Sequence, residues 1–334
     1  MSEVTKIVAD IKSGNIKPIY FLMGEEPYYI DKISEFIEKN VLTEEDKGFN
    51  QMVLYGRDVT IEDIVDNAKR FPMMAERQVL IVKEAQDLSR TIDKLESYSE
   101  NPQPSTVLVI CYKYKKLDKR KTLYKAIQKK GLVYESKKLY ENQVADWIRR
   151  VLSGKSYKID TKAASMLVEF LGTDLSKINN ELVKLMVVLP INSTISPKDI
   201  EENIGISKDY NNFELRKAVG ERNTLKVNRI INYFAQNQKA NPLIMTISLL
   251  NSFFTQLLIY HSLKDKSKNN VAKSLKINAY FVTDYATAAK NYPMRKVSQV
   301  IAMLRDADVK SKGVGANALP AGDILKELLF KIIH

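Results

Sequence analysis

The stretch Gly24-Glu25-Glu26-Pro27-Tyr28-Tyr29-Ile30-Asp31 is the first place where residue types and spacing invite a chemical reading, because it joins a strand-like apolar run to a helix-like one. In an α/β fold such a junction can hold a nucleotide phosphate at the helix N-terminus. A phosphate loop needs the pattern GxxxxGK[ST], with glycines that let backbone N–H groups curl round the phosphates and a lysine for the terminal ones. Here there is no second glycine and no Lys-Ser/Thr pair, two carboxylates stand where phosphate would approach, and Pro27 has no N–H to offer. No nucleotide-binding residues are expected. Two other segments imitate phosphate motifs. Gly154-Lys155-Ser156 lacks the upstream glycine and follows a helix-like run, and Gly313-x-Gly315-x-x-Ala318 follows no strand. Both read as loops between helices.

Other reactive chemistry fares no better. The carboxylate pairs Glu25-Glu26, Glu44-Glu45 and Glu201-Glu202 are adjacent in sequence, so each pair diverges, and they read as helix-surface or capping charge. His261 and His334 have no metal or triad partner at useful spacing. One cysteine, Cys111, excludes an internal disulfide and a cysteine-cluster metal site and suits a reducing cytoplasm. Neither catalytic residues, metal ligands nor a cofactor are expected. The opening Met1-Ser2-Glu3-Val4 lacks the basic and apolar regions of a signal peptide. The most apolar stretch, Leu249 to Tyr260, is interrupted by Asn251, Ser252, Thr255 and Gln256 and reads as too short to span a bilayer, so no membrane is expected.

The elements that would position any site fall into two regimes. Over the first 140 residues short apolar runs at 18–23, 52–55, 78–82, 106–112 and 132–135 alternate with amphipathic helical patterns at 4–11, 26–40, 61–69, 91–98 and 119–129. Five such runs separated by helices predict a parallel sheet covered on both faces. Beyond residue 140 the strand signals stop and the pattern is helical, with breaks at Asn241-Pro242, Asn291-Tyr292-Pro293 and Leu319-Pro320. The expected architecture is therefore α/β plus all-α: an α/β domain over 1–140, a small helical domain over 141–210 and a larger helical domain over 211–334. At 334 residues, two or three domains are also what length alone suggests.

Charge follows this division. Residues 1–140 carry 24 basic and 22 acidic groups, residues 141–210 carry 9 and 10, and residues 211–334 carry 19 and 8, so nearly all of the net +12 sits in the last third. Within the first third, residues 113–138 hold 11 basic groups against Asp118 and Glu135. A polyanion partner fits this distribution, and so does a solvated lysine-rich surface.

Four segments, YFLMGEEPYYIDK (20–32), FPMMAERQVLIVKEAQDL (71–88), KKLDKRKTLYKAI (115–127) and DLSKINNELVKL (174–185), with a weaker fifth, FELRKAVGERN (213–223), carry a resemblance that spans the chain. In order and spacing the sequence resembles the delta subunits of the bacterial DNA polymerase III clamp loader. The resemblance implies an AAA+-like α/β domain without a working nucleotide site, a helical lid and a helical collar that builds the loader ring. It implies a non-catalytic subunit that binds and opens the sliding β clamp for loading onto primed DNA, with any polymerase activity belonging to the holoenzyme. The implied partners are the β clamp, the gamma/tau ATPase subunits, the delta-prime subunit and primed DNA, in a bacterial cytoplasm. Matching segment to segment puts the clamp-contacting apolar pair at Met73 and Met74, with Phe71 and Pro72 before them. Unbranched thioethers adapt well to an apolar pocket. Pro72 is expected to end the preceding helix, and Phe71 to be the member of the four that packs into the core. The resemblance also makes Lys115, Lys119 and Lys130, read as lying in a basic helical run from Lys113 to Lys130, and Lys310 and Lys312 in the collar candidates for DNA proximity. The family's ATPase subunits carry a zinc-binding cysteine set and a Ser-Arg-Cys finger. This chain has one cysteine and reads Ser89-Arg90-Thr91. An active clamp-loader ATPase and a stand-alone basic DNA-binding protein are the competing readings.

Overall fold

Ile19–Gly24 forms β1, and all six residues are buried, as a strand covered on both faces requires. The computed structural model describes residues 3–207, 209–314 and 319–334, and divides into two units, Met1–Leu139 and Tyr140–His334. Unit 1 runs α1 (Glu3–Lys12), β1, α2 (Pro27–Asn40), α3 (Glu44–Asn50), β2 (Gln51–Tyr55), α4 (Ile61–Ala68), β3 (Gln78–Lys83), α5 (Glu96–Glu100), β4 (Thr106–Lys113), α6 (Thr122–Lys130) and β5 (Leu132–Ser136). The strands make one parallel sheet in the order β2-β3-β4-β1-β5.

Side chains alternate across this sheet with period two. Ile19, Phe21 and Met23, with Leu80, Val82, Leu108 and Ile110, pack on Ile61, Ile64, Leu123 and Ile127 of α4 and α6. Tyr20 and Leu22, with Val79, Ile81, Val109 and Cys111, pack on Ile7 and Ile11 of α1 and Ile30, Ile33 and Ile37 of α2. Cys111 is fully buried opposite Leu22, and burial pushes its thiol up to about 12. β1 ends at Gly24 with φ +129°, where a Cβ would lie 2.0 Å from the Ser136 carbonyl oxygen. Only glycine suits that close parallel passage.

Several local expectations are corrected. The helix expected over 91–98 is a 3-10 turn, Ile92–Leu95, followed by the short α5. The basic run from Lys113 to Lys130 is not one helix. Lys113 closes β4, and Asp118 accepts from the Arg120 N–H at 2.9 Å in a loop that delays α6 until Thr122. Glu44 and Glu45 open α3, which Thr43 caps.

Unit 2 runs α7 (Glu141–Ser153), β6 (Lys158–Ile159), α8 (Thr161–Leu171), α9 (Leu175–Val188), β7 (Thr194–Ile195), α10 (Pro197–Ile204), α11 (Asn212–Gly220), α12 (Thr224–Gln236), α13 (Leu243–Ser262), α14 (Lys268–Leu275), α15 (Val282–Asn291), α16 (Met294–Ser311) and α17 (Ala321–Ile333). Strands do not stop at residue 140: β6 and β7 pair in parallel, though over two residues each. The apolar stretch at 249–260 belongs to the longer α13, whose 20 residues are enough by length and composition to cross a membrane. Ile247, Leu250, Phe253, Phe254 and Leu257 bury it in the core shared by α11 to α17, which accounts for its apolar character. Met1-Ser2 and Gly315 to Ala318 of the loose dinucleotide pattern lie outside the described residues.

Candidate functional site

The α4–β3 connection is the place where unit 1 shows most apolar side chain to water. Thr60 and Asp63 close a capping box at the start of α4, and the helix stops at Ala68, ahead of Pro72. Pro72 therefore stiffens the loop but does not end the helix. The base of the loop is tied down by polar groups. Thr106 Oγ1 donates to the Ala68 carbonyl at 2.7 Å, and Gln78 Nε2 donates to Thr106 Oγ1 at 2.8 Å and to the Arg70 carbonyl at 2.6 Å. At the centre, the Met73 N–H donates to Asn50 Oδ1 at 2.6 Å and Asn50 Nδ2 donates to the Met73 carbonyl at 2.9 Å.

This backbone anchoring leaves the apolar side chains outside. Met73 and Met74 are 63% and 105% exposed, Pro72 is partly buried, and Phe71 is 79% exposed. The expectation for Phe71 is thus corrected. It lies beyond the end of α4, off the face carrying Ile61, Ile64 and Ala68, and backbone hydrogen bonds rather than an aromatic ring secure the loop. Met74 has φ +54°, a left-handed conformation that a side chain without β-branching tolerates at a cost. Three large apolar side chains, Phe71, Met73 and Met74, thus stand exposed on one pinned loop, an arrangement of the kind that marks interaction surfaces in proteins generally. Sequence reasoning missed Asn50, which is buried at the end of α3, 23 residues before Met73, and no sequence pattern marks it.

At the β1–α2 junction Glu26 is the N-cap of α2, buried, and it accepts from the Tyr28 N–H at 3.0 Å. A carboxylate of the chain thus meets the partial positive charge of the helix start, where a phosphate would sit in a nucleotide-binding relative of this geometry. Around it Lys116 bridges Glu25 at 3.1 Å and Glu135 at 3.2 Å. Lys113 bridges Asp31 at 2.9 Å and Glu84 at 2.7 Å. Burial disfavours the Lys113 charge, but the two carboxylates outweigh it and hold the ammonium well above its ordinary value. Gly154-Lys155-Ser156 lies at the C-terminal end of α7, the wrong end of a helix for a phosphate.

The candidate lysines are divided between the two units. In unit 1, Lys115 Nζ donates to Ser89 Oγ at 2.6 Å, Lys119 pairs with Glu135 at 3.2 Å, and Lys130 is exposed at the end of α6 with no ion pair among the described residues. In unit 2, Lys310 pairs with Glu327 at 3.3 Å and Lys312 with Asp308 at 2.6 Å. His261 Nε2 lies 2.8 Å from the Tyr292 carbonyl, a structural contact. Among the described residues no group of His, Cys, Asp or Glu is placed to hold a metal ion.

Comparison with known proteins adds to this geometry. Residues 20–137 match the family model "DNA polymerase III, delta subunit", and residues 209–325 match "DNA polymerase III delta subunit, C-terminal domain". The DNA polymerase III subunit delta of Bacillus subtilis (strain 168) is 27% identical over 314 residues, covering 90% of each chain. Among solved structures, the Bacillus subtilis DNA clamp loader delta protein (YqeN) matches with a TM-score of 0.58 and 25% identity over 99% of both chains.

Proposed function

The chain belongs to the DNA polymerase III delta-subunit family, a family of clamp-loader subunits, and from that premise we propose that it binds the sliding β clamp through the tip at Met73 and Met74 and favours the open ring. The observation that supports this most is the outward presentation of Phe71, Met73 and Met74 on a loop whose backbone is fixed from both ends. Apolar side chains held in water gain free energy only when a partner covers them, by about 25 cal/mol per Å² removed from water.

Opening needs more than affinity. A subunit that bound closed and open clamps equally would shift nothing; the shift equals its differential affinity for the two forms. In this reading the tip docks at a clamp interface in a geometry incompatible with the closed ring, and unit 1 acts without a nucleotide of its own, with Glu26 already capping the helix start that a phosphate would use. The chain hydrolyses nothing and contributes no nucleotidyl transfer. Its partners are the β clamp, the gamma/tau ATPase subunits and delta-prime, with primed DNA reached through the assembled loader in the bacterial cytoplasm. A division of unit 2 at residue 210 into a lid, 141–210, and a collar, 211–334, belongs to the same proposal; the apolar core from Phe213 to Ile333 lies wholly within the collar segment.

The test uses the cognate clamp with a fluorescence donor and acceptor across one subunit interface. Addition of the purified chain without nucleotide is expected to bind the clamp and to lower transfer across that interface. Absence of binding, or binding with transfer unchanged, refutes the proposal.

A further inference from the structure

The tip is held in shape by a residue from another element. Asn50 is 5% exposed at the last position of α3, and its carboxamide makes a two-way pair with the Met73 backbone, accepting from the N–H and donating to the carbonyl. The second amide hydrogen is directed to the Asp46 carbonyl at 3.2 Å, within the helix that carries it. Asn50 is therefore fixed on α3 and reaches across to the loop, much as one strand residue pairs with another. The next residue, Met74, stands in the left-handed region at φ +54°, a conformation that persists in a bulky residue where its neighbours over-determine it.

We propose that Asn50 is a positioning residue for the apolar tip: by fixing the Met73 backbone it presents Met73 and Met74 in the docking conformation before the partner arrives. The inference rests on the clamp-docking function proposed above and specifies what sets the affinity of that site. A free loop of nine residues between Ala68 and Gln78 samples many conformations, and the apparent affinity of a site falls in proportion to the fraction that is competent. Tying the centre of the loop to a buried carboxamide raises that fraction and removes ordering from the docking step. The hydrogen bonds at the base, from Gln78 and Thr106, hold the ends of the loop but do not fix Met73. Asn50 alone among the described side chains bonds both polar groups of Met73.

The experiment compares the full-length chain with Asn50→Ala and with Asn50→Leu, which keeps the same count and branching of side-chain heavy atoms while removing both hydrogen bonds to Met73. In the free proteins, amide hydrogen exchange at Met73 is expected to quicken at least tenfold, while the amide of Ile81 in β3 keeps its protection and reports an intact fold. Affinity for the cognate sliding clamp is expected to fall roughly tenfold, mainly through slower association, since fewer loops are competent at encounter. In a Met73→Ala/Met74→Ala background the Asn50 substitutions are expected to change affinity no further, the non-additivity that marks residues acting as one unit. Unchanged exchange at Met73 overturns the proposal. Faster exchange with undiminished affinity also overturns it and leaves the docking function standing. Failure of the unaltered chain to bind the clamp overturns the docking function itself, and the positioning role with it.

Discussion

Replacing Met73 and Met74 together by alanine separates docking from folding. Each substitution removes three heavy atoms beyond Cβ, worth about 2 kcal/mol if they pass fully from water into an apolar pocket, at roughly 0.8 kcal/mol per methylene-sized group. Met74 is wholly exposed and stands to lose that full amount on truncation; Met73, at 63% exposure, stands to lose about two thirds of it. The pair therefore accounts for about 3 kcal/mol, a loss of roughly two hundredfold in clamp affinity at 1.4 kcal/mol per tenfold. Neither side chain packs in the core, so the thermal midpoint of the variant is expected to move by no more than a surface change does, within about 0.5 kcal/mol. Met74→Gly supplies an internal control. Glycine relieves the left-handed strain, so this variant should be at least as stable as Met74→Ala while binding as poorly. Anisotropy titration of a labelled clamp, run beside thermal melts, reads both quantities. Less than a threefold change in affinity would refute the docking argument. A loss of affinity that tracked a loss of thermal stability would show instead that the methionines serve the fold.

Gly24→Ala should lower stability by at least about 3 kcal/mol, since the new Cβ meets the Ser136 carbonyl at 2.0 Å in a backbone conformation alanine avoids; a denaturant melt like that of the unaltered chain would contradict the register of β1 with β5. Glu214 is buried, which disfavours its charge, yet hydrogen bonds from Lys162, at 2.7 Å, and from Lys226 outweigh burial and lower its pKa below the ordinary 4.5. A depressed carboxylate contributes stability that is present above its unfolded pKa and is lost as pH falls through the folded value, so acid melts should weaken from about pH 4.5 downward and Glu214→Gln should flatten that slope. In the assembled loader, Lys130→Ala should reduce the slope of log affinity for primed DNA against log salt by about 0.9 if its ammonium meets one phosphate, and an unchanged slope would remove Lys130 from the DNA path.

The sheet was legible because its inner strands β1, β3 and β4 are buried on both faces and stand out as compact apolar runs, such as residues 18–23 and 106–112, each closed by a change of composition. The two-residue strands β6 and β7 carry no such run, and their pairing depends on residues 36 positions apart. The place of Met73 and Met74 came from the family resemblance, since two adjacent methionines have no period that separates a tip from a core. Phe71 was misread because an aromatic residue near a helix end is ordinarily core, whereas here backbone bonds to Asn50 and Gln78 replaced it as the anchor. Asn50 itself was illegible in physical terms: a single asparagine announces neither that its carboxamide is buried nor which distant backbone it meets.

Cys111 has a practical meaning beyond its packing. Its thiol lies in the central sheet with no exposed surface and is pushed up to about 12 by burial, so in the folded chain it offers alkylating reagents neither access nor thiolate. Its modification must then wait for the sheet to open, and the rate of labelling becomes the intrinsic thiol rate multiplied by the equilibrium constant for opening. The chain thus carries an internal chemical clock for sheet opening, and its surface accepts a single engineered cysteine, for instance Met74→Cys, as a uniquely reactive attachment point without removal of the native one.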